Sequence, residues 1–295
     1  MKYFSKNQEL LFFLCLVVLY FIWSFCDFFI PAKAGLDYSW IIGLNWAKDI
    51  GAQWGKDILF TYGPLYHFAG VLVPDFYSSK AYLLILIGIN LFYSLIKTGV
   101  VFIFYRRANS LYKMFITMFS GFVMLLCVYH KHIYSEIITL FSIILLCDSY
   151  YEIRENKMII NKRVIINNVL ASFLLVIAQY MKFSYFNVVV VLLILLNILY
   201  IFHNKYKITV IFTGSYIFFS FFLWIISGQN IKNLFGYFYT GFQLSGGYTS
   251  AMNIPFVNSN NFDFFTFASI IILLFIIMLI YILKKKNIYL FIYLF

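Results

Sequence analysis

The chain has 295 residues, 63% hydrophobic and only 11% charged, with a formal net charge of +11. A water-soluble domain cannot hide that much apolar surface, so repeated apolar runs of about 20 residues read as membrane-spanning helices. The positive balance does not call for nucleic acid as a partner, because polytopic membrane proteins gather cations in their cytoplasmic loops.

The four cysteines, Cys15, Cys26, Cys127 and Cys147, all fall in apolar runs and show neither metal-ligand spacing nor a disulfide framework. His67, His130 and His132 share no ligand spacing either, so no metal site is expected, and nothing in the sequence names a cofactor. The 37 Phe and 25 Tyr accompany abundant Ile, Asn and Lys, a compositional bias that carries no functional weight as a class.

In chain order, the first apolar run covers residues 10–30 and follows a short segment with Lys2 and Lys6. No small-residue cleavage motif comes after it, so it reads as a retained anchor and not as a signal peptide. Further spans are expected at 81–105, 114–129, 133–150, 164–180, 188–202, 208–226 and 264–283. A charged loop with Glu152, Arg154, Glu155, Lys157, Lys162 and Arg163 should separate the fourth from the fifth. Two longer intervals, 31–79 and 227–262, read as loops, the second carrying Gly246 and Gly247. The fold class is therefore all-α: a polytopic integral membrane protein of about eight transmembrane helices, one transmembrane domain over residues 1–295.

Fourteen Lys and Arg, including Arg106, Arg107, Arg163, Lys205 and Lys284, fall on one side of this arrangement, and seven on the other. The excess marks the cytoplasmic side. Both termini are then cytoplasmic and both long loops lie outside the plasma (inner) membrane, together with the short turns at Lys131 and Lys182. Lys97, about two turns inside the second span, is a functional-site candidate by its position or a cation that snorkels toward Arg106.

Residues 35–69 are the chemistry-bearing stretch: they hold Trp40, Trp46 and Trp54, Asp37, Asp49 and Asp57, His67 and a Gly63-Pro64 turn. Over residues 36–50 the apolar positions Leu36, Trp40, Leu44 and Ala47 recur at helical spacing, which predicts an interfacial helix with Trp at headgroup depth. Gly51 and Gly55 end or loosen it, and residues 60–65 turn the chain back toward the membrane.

The runs Asp37-Tyr38-Ser39-Trp40, Gly55-Lys56-Asp57-Ile58 and Phe60-Thr61-Tyr62-Gly63-Pro64-Leu65, in a first long loop after a first span, resemble those of bacterial GT-C-type glycosyltransferases. The motif covers about a tenth of the chain. Family members are usually longer, so a shortened or truncated member is expected. The resemblance implies a polyprenyl-phosphate-linked sugar donor, a cell-envelope glycan or lipid as acceptor, and Asp37 as catalytic base.

Inverting sugar transfer needs a carboxylate for the acceptor proton and cations near the departing phosphate. Lys131, His132 and Lys182 on the outer turns are candidates for the second task, and Asp57 and Tyr62 join them as candidate substrate-binding residues. Plainer readings stand beside these: Asp37 as a helix cap, Asp57 as a turn carboxylate, Lys182 as an interfacial anchor. The alternative function is a non-enzymatic carrier or flippase for an envelope lipid or polysaccharide. A carrier buries paired ionisable groups midway along its spans, whereas the acids here cluster at the outer rim. In either case membrane lipids surround the chain.

Overall fold

The computed structural model describes residues 6–25, 36–108, 113–126, 134–155 and 161–252. Among these the chain is helical, with no strand beyond isolated bridges. It divides into two compact units, Met1–Leu244 and Ser245–Phe295. The expected span at 264–283 lies outside the described residues.

The helices are α1 (Lys6–Phe25), α2 (Leu36–Asp49), α3 (Ser79–Arg107), α4 (Lys113–Leu126), α5 (Tyr134–Glu155), α6 (Lys162–Met181), α7 (Ser184–Phe202), α8 (Tyr206–Ile226) and α9 (Leu234–Met252). Among the described residues, five segments are long and apolar enough to cross a membrane: Asn7–Ser24 within α1, and the whole of α3, α6, α7 and α8. Their flanks carry exposed Leu14, Val18, Val191, Ile194, Val210 and Phe218. Water penalises such surface and lipid does not.

Local signals set the ends. Ser78 accepts a hydrogen bond from Ala81 N at 3.3 Å and starts α3, and Asn161 accepts from Val164 N at 2.9 Å and starts α6. Gly228, at φ 78°, closes α8 in a conformation that side chains rarely adopt.

Helices α3, α5, α6 and α8 pack in sequence, with α1 against α3 and α7 against α6 and α8. Polar side chains tie the seams. Ser172 donates to Phe212 O, Tyr200 to Asn168 Oδ1 and Tyr180 to Ser220 O, all buried. Lys97 is fully buried between α1 and α3, donates to Ser24 Oγ at 3.1 Å, and lies on the helix face that also carries Asn90, a donor to Phe21 O. It is a seam residue and does not reach out toward Arg106.

At one end of this unit, buried Asp148 of α5 accepts from Arg106 and Arg107 of α3 and from Arg163 and Asn167 of α6. Glu152 pairs with Arg107 at 2.8 Å. This cluster corrects the expected charged loop after residue 150: with its carboxylates neutralised, α5 continues to Glu155. Likewise residues 234–252, expected as part of a loop, form α9. Glycines weaken a helix read from sequence, but Gly236 and Gly241 are places of close approach. A Cβ on Gly241 would lie 2.3 Å from the Phe183 ring, and one on Gly236 2.4 Å from Gly55 O.

Candidate functional site

The opposite end of the unit is built around residues 50–78. Gly51, at φ 71°, ends α2. The chain then folds into a tight turn in which Gln53 O accepts from the amides of Asp57 and Ile58, and Asp57 Oδ2 accepts from Gln53 N at 3.0 Å. Asp57 is thus occupied in holding its own turn. Trp54 is almost completely buried; its indole donates to Tyr62 O at 3.0 Å and its backbone N–H to the Gln229 side chain at 2.8 Å.

Residues 61–65 dock as a short antiparallel ladder on the α6–α7 connection. Gly63 N donates to Met181 O, Leu65 N to Tyr180 O and Phe183 N to Thr61 O, at 3.1, 2.9 and 2.7 Å. Only glycine fits at 63, because a Cβ there would come within 2.5 Å of both Tyr180 O and Tyr237 Oη. Pro64 follows with no N–H to leave unpaired.

This ladder brings together two of the candidate residues. Tyr62 and Lys182 face one another across it, with Lys182 Nζ 5.8 Å from the centre of the Tyr62 ring, a cation–π distance. Trp40 of α2 stacks on the Tyr62 ring with centroids 4.9 Å apart. Asp37 lies three residues before Trp40, at the second position of α2, so its backbone is carried by the helix that this stack pins; its side chain lies outside the described residues. Lys131 and His132 are also outside the described residues.

Two residues the sequence reading passed over complete the cluster. Glu136, exposed in the first turn of α5, accepts a hydrogen bond from Tyr185 Oη and a second, at 3.3 Å, from Ser135 Oγ. Tyr185 follows Lys182 by three residues and donates its backbone N–H to Lys182 O. A carboxylate, a phenol, an ammonium and the Tyr62 ring therefore share one end of the bundle. An acid in the first turn of an apolar run was the available signal for Glu136. Its partner, 49 residues away, had none.

Helix α2 is held by Asn45, which donates to Val71 O and accepts from Tyr77 Oη, while Lys48 donates to the same phenol. Its other face exposes Ile42, Trp46 and Ile50, a stripe spaced at i, i+4 and i+8. His67 has its Nδ1 cut off from solvent and without a hydrogen-bond partner. Burial, with a smaller contribution from Lys48, pushes its imidazole down to about 4 from 6.5. Among the described residues no three His, Cys, Asp or Glu side chains gather where they could hold a metal ion.

No protein-family model, no curated protein and no solved structure matches this chain.

Proposed function

We propose that this chain is a GT-C-like integral membrane glycosyltransferase, transferring a sugar from a polyprenyl-phosphate donor to a cell-envelope glycan or lipid on the outer face of the plasma membrane. The observation that carries the reading is the cluster at the first-loop end: Lys182 over the Tyr62 ring, with Glu136 and Tyr185 beside it. In this reading the chain crosses the membrane about eight times with both termini cytoplasmic, the first-loop end faces outward, and α2 is the interfacial helix, its Ile42, Trp46 and Ile50 stripe against lipid.

The chemistry follows from the groups. Asp37 takes the proton of the acceptor hydroxyl as that oxygen bonds to the anomeric carbon. The bond from the anomeric carbon to the phosphate oxygen breaks, and polyprenyl phosphate leaves with the electron pair. Lys182 stabilises the charge that develops there, an effect larger in the transition state than in the bound donor. Glu136 holds Tyr185 and acts as a positioning residue. Lys97 lends little to the carrier alternative, since it closes the α1–α3 seam.

The test uses purified protein in liposomes with radiolabelled polyprenyl-phosphate sugars and an envelope-lipid acceptor. Asp37→Asn should lower transfer by about 10²-fold or more. Lys182→Gln should lower turnover more than donor affinity, and Lys48→Gln should change neither. Near-normal transfer by Asp37→Asn together with loss in Glu136→Gln would move the base to Glu136. Protein-dependent movement of labelled lipid across the bilayer, with every glycosidic bond intact, would establish the carrier instead.

A further inference from the structure

Behind Trp54 an open cleft of about 660 Å³ lies between the first-loop turn and the end of α8, lined among others by Gln53, Lys56, Ile225, Gln229, Lys232 and Asn233. Its floor is fixed. Gln53 donates to Gly228 O at 3.2 Å and accepts from Asn230 N at 2.7 Å, and Gln229 accepts from Trp54 N. These carboxamides are consumed in joining the two walls.

The rim differs from the floor. Lys56 comes from the first-loop turn and Lys232 from the turn Ile231–Asn233, and both are exposed. Among the described residues no carboxylate pairs with either, and neighbouring Asp57 is engaged by Gln53 N. Two ammonium groups lining one cleft, whose carboxamides are already paired, attract an anion.

The position of the cleft selects the kind of anion. Ile225 is both a lining residue and an exposed residue of α8, a helix long and apolar enough to cross a membrane. Phe218, Phe222 and Ile225 are exposed at spacings of four and three residues, and the Phe218 and Phe222 rings stack at 5.5 Å. They form one apolar stripe down a single face of the helix, leading away from the cleft. The geometry points to a binding site for a membrane lipid with an anionic phosphate headgroup, its phosphate between Lys56 and Lys232 and an acyl chain along Phe222 and Phe218. The site is separate from the Tyr62–Lys182 cluster and does not depend on sugar transfer, because its binding is measured without any sugar donor.

Native mass spectrometry of the purified full chain, titrated with phosphatidylglycerol or phosphatidylcholine, tests it. The wild type should retain phosphatidylglycerol in preference. A Lys56→Gln/Lys232→Gln double variant should lose that preference, with affinity roughly thirtyfold weaker for two lost lysines near the surface. A Lys48→Gln/Lys80→Gln variant, which removes the same charge from other exposed positions, should behave as wild type. Phe222→Gln should weaken phosphatidylglycerol binding and leave the binding of soluble glycerol phosphate unchanged. Equal losses in the two double variants would overturn the site, since general charge would then explain retention. Glycerol phosphate binding as tightly as phosphatidylglycerol would overturn the lipid assignment, because the stripe would then contribute nothing.

Discussion

At the scale of single residues, the charges at the first-loop end include several held in definite partnerships. Lys182 lies against an aromatic ring, Glu136 holds a phenol, and Asp57 closes a turn. His67 is the residue whose environment most clearly opposes its ordinary protonation. Its folded value of about 4 lies below the 6.5 of the unfolded chain. Above pH 6.5 both states are neutral and the residue contributes no pH dependence. As pH falls from 6.5 toward 4 the unfolded state takes up a proton that the folded state refuses, so stability is lost across that window. Thermal unfolding in detergent should therefore show a steeper decline between pH 6.5 and 4 for the wild type than for His67→Phe. Superimposable curves would mean that the imidazole is solvated in the folded protein.

At the scale of elements, helix existence was legible and helix extent less so. The apolar runs expected as the first seven spans correspond to helices α1 and α3 to α8, within a few residues where described, but α4 and α5 are not among the helices long and apolar enough to cross a membrane. Helix α5 outran its expected end because Asp148 and Glu152 find arginines on α3 and α6, and no local pattern reports the α3 partners, which lie more than forty residues away. Helix α9 was hidden by glycines whose purpose is contact, as Gly236 against Gly55 makes plain. In the candidate site, Tyr62 and Lys182 were both readable as residue types, but their pairing was not, since it depends on the ladder between residues 61–65 and 180–183. Gly63→Ala tests that ladder. Its Cβ would force apart Tyr180 O and the Tyr237 hydroxyl, and a displacement of this kind typically costs about 1–3 kcal/mol. Limited proteolysis should then cut the first loop faster, with α6 and α8 still protected. An unchanged cleavage pattern would show that the loop docks by other means.

At the scale of the molecule, the two ends of the helical unit have opposite characters. One is an arginine cluster around buried Asp148, and the other is the docked first loop with its aromatic and amide contacts. The cluster binds three helices through one carboxylate, so Asp148→Asn leaves Arg106, Arg107 and Arg163 crowded with half their compensation gone. Breaking such an arrangement costs about 3–5 kcal/mol, and the variant should unfold at markedly lower temperature in detergent. The orientation in the membrane is open to direct measurement. In a background with all four cysteines replaced by Ala, Asp75→Cys at the first-loop end should react with an impermeant thiol reagent in intact cells, and Lys207→Cys at the start of α8 should not. The reverse pattern would turn the protein over and remove the outer-face reaction.

The hydrogen bonds that Gln53 donates to Gly228 O and accepts from Asn230 N join positions 175 and 177 residues apart. During synthesis at about 5–20 residues per second, the first loop therefore waits roughly 9–35 seconds for the segment that will hold it. Over that interval Gln53 and Lys56 have no far wall, and Gly55 has no helix to rest on. The loop that carries the candidate residues is therefore made early and secured late, once the end of α8 and the turn that follows it have emerged.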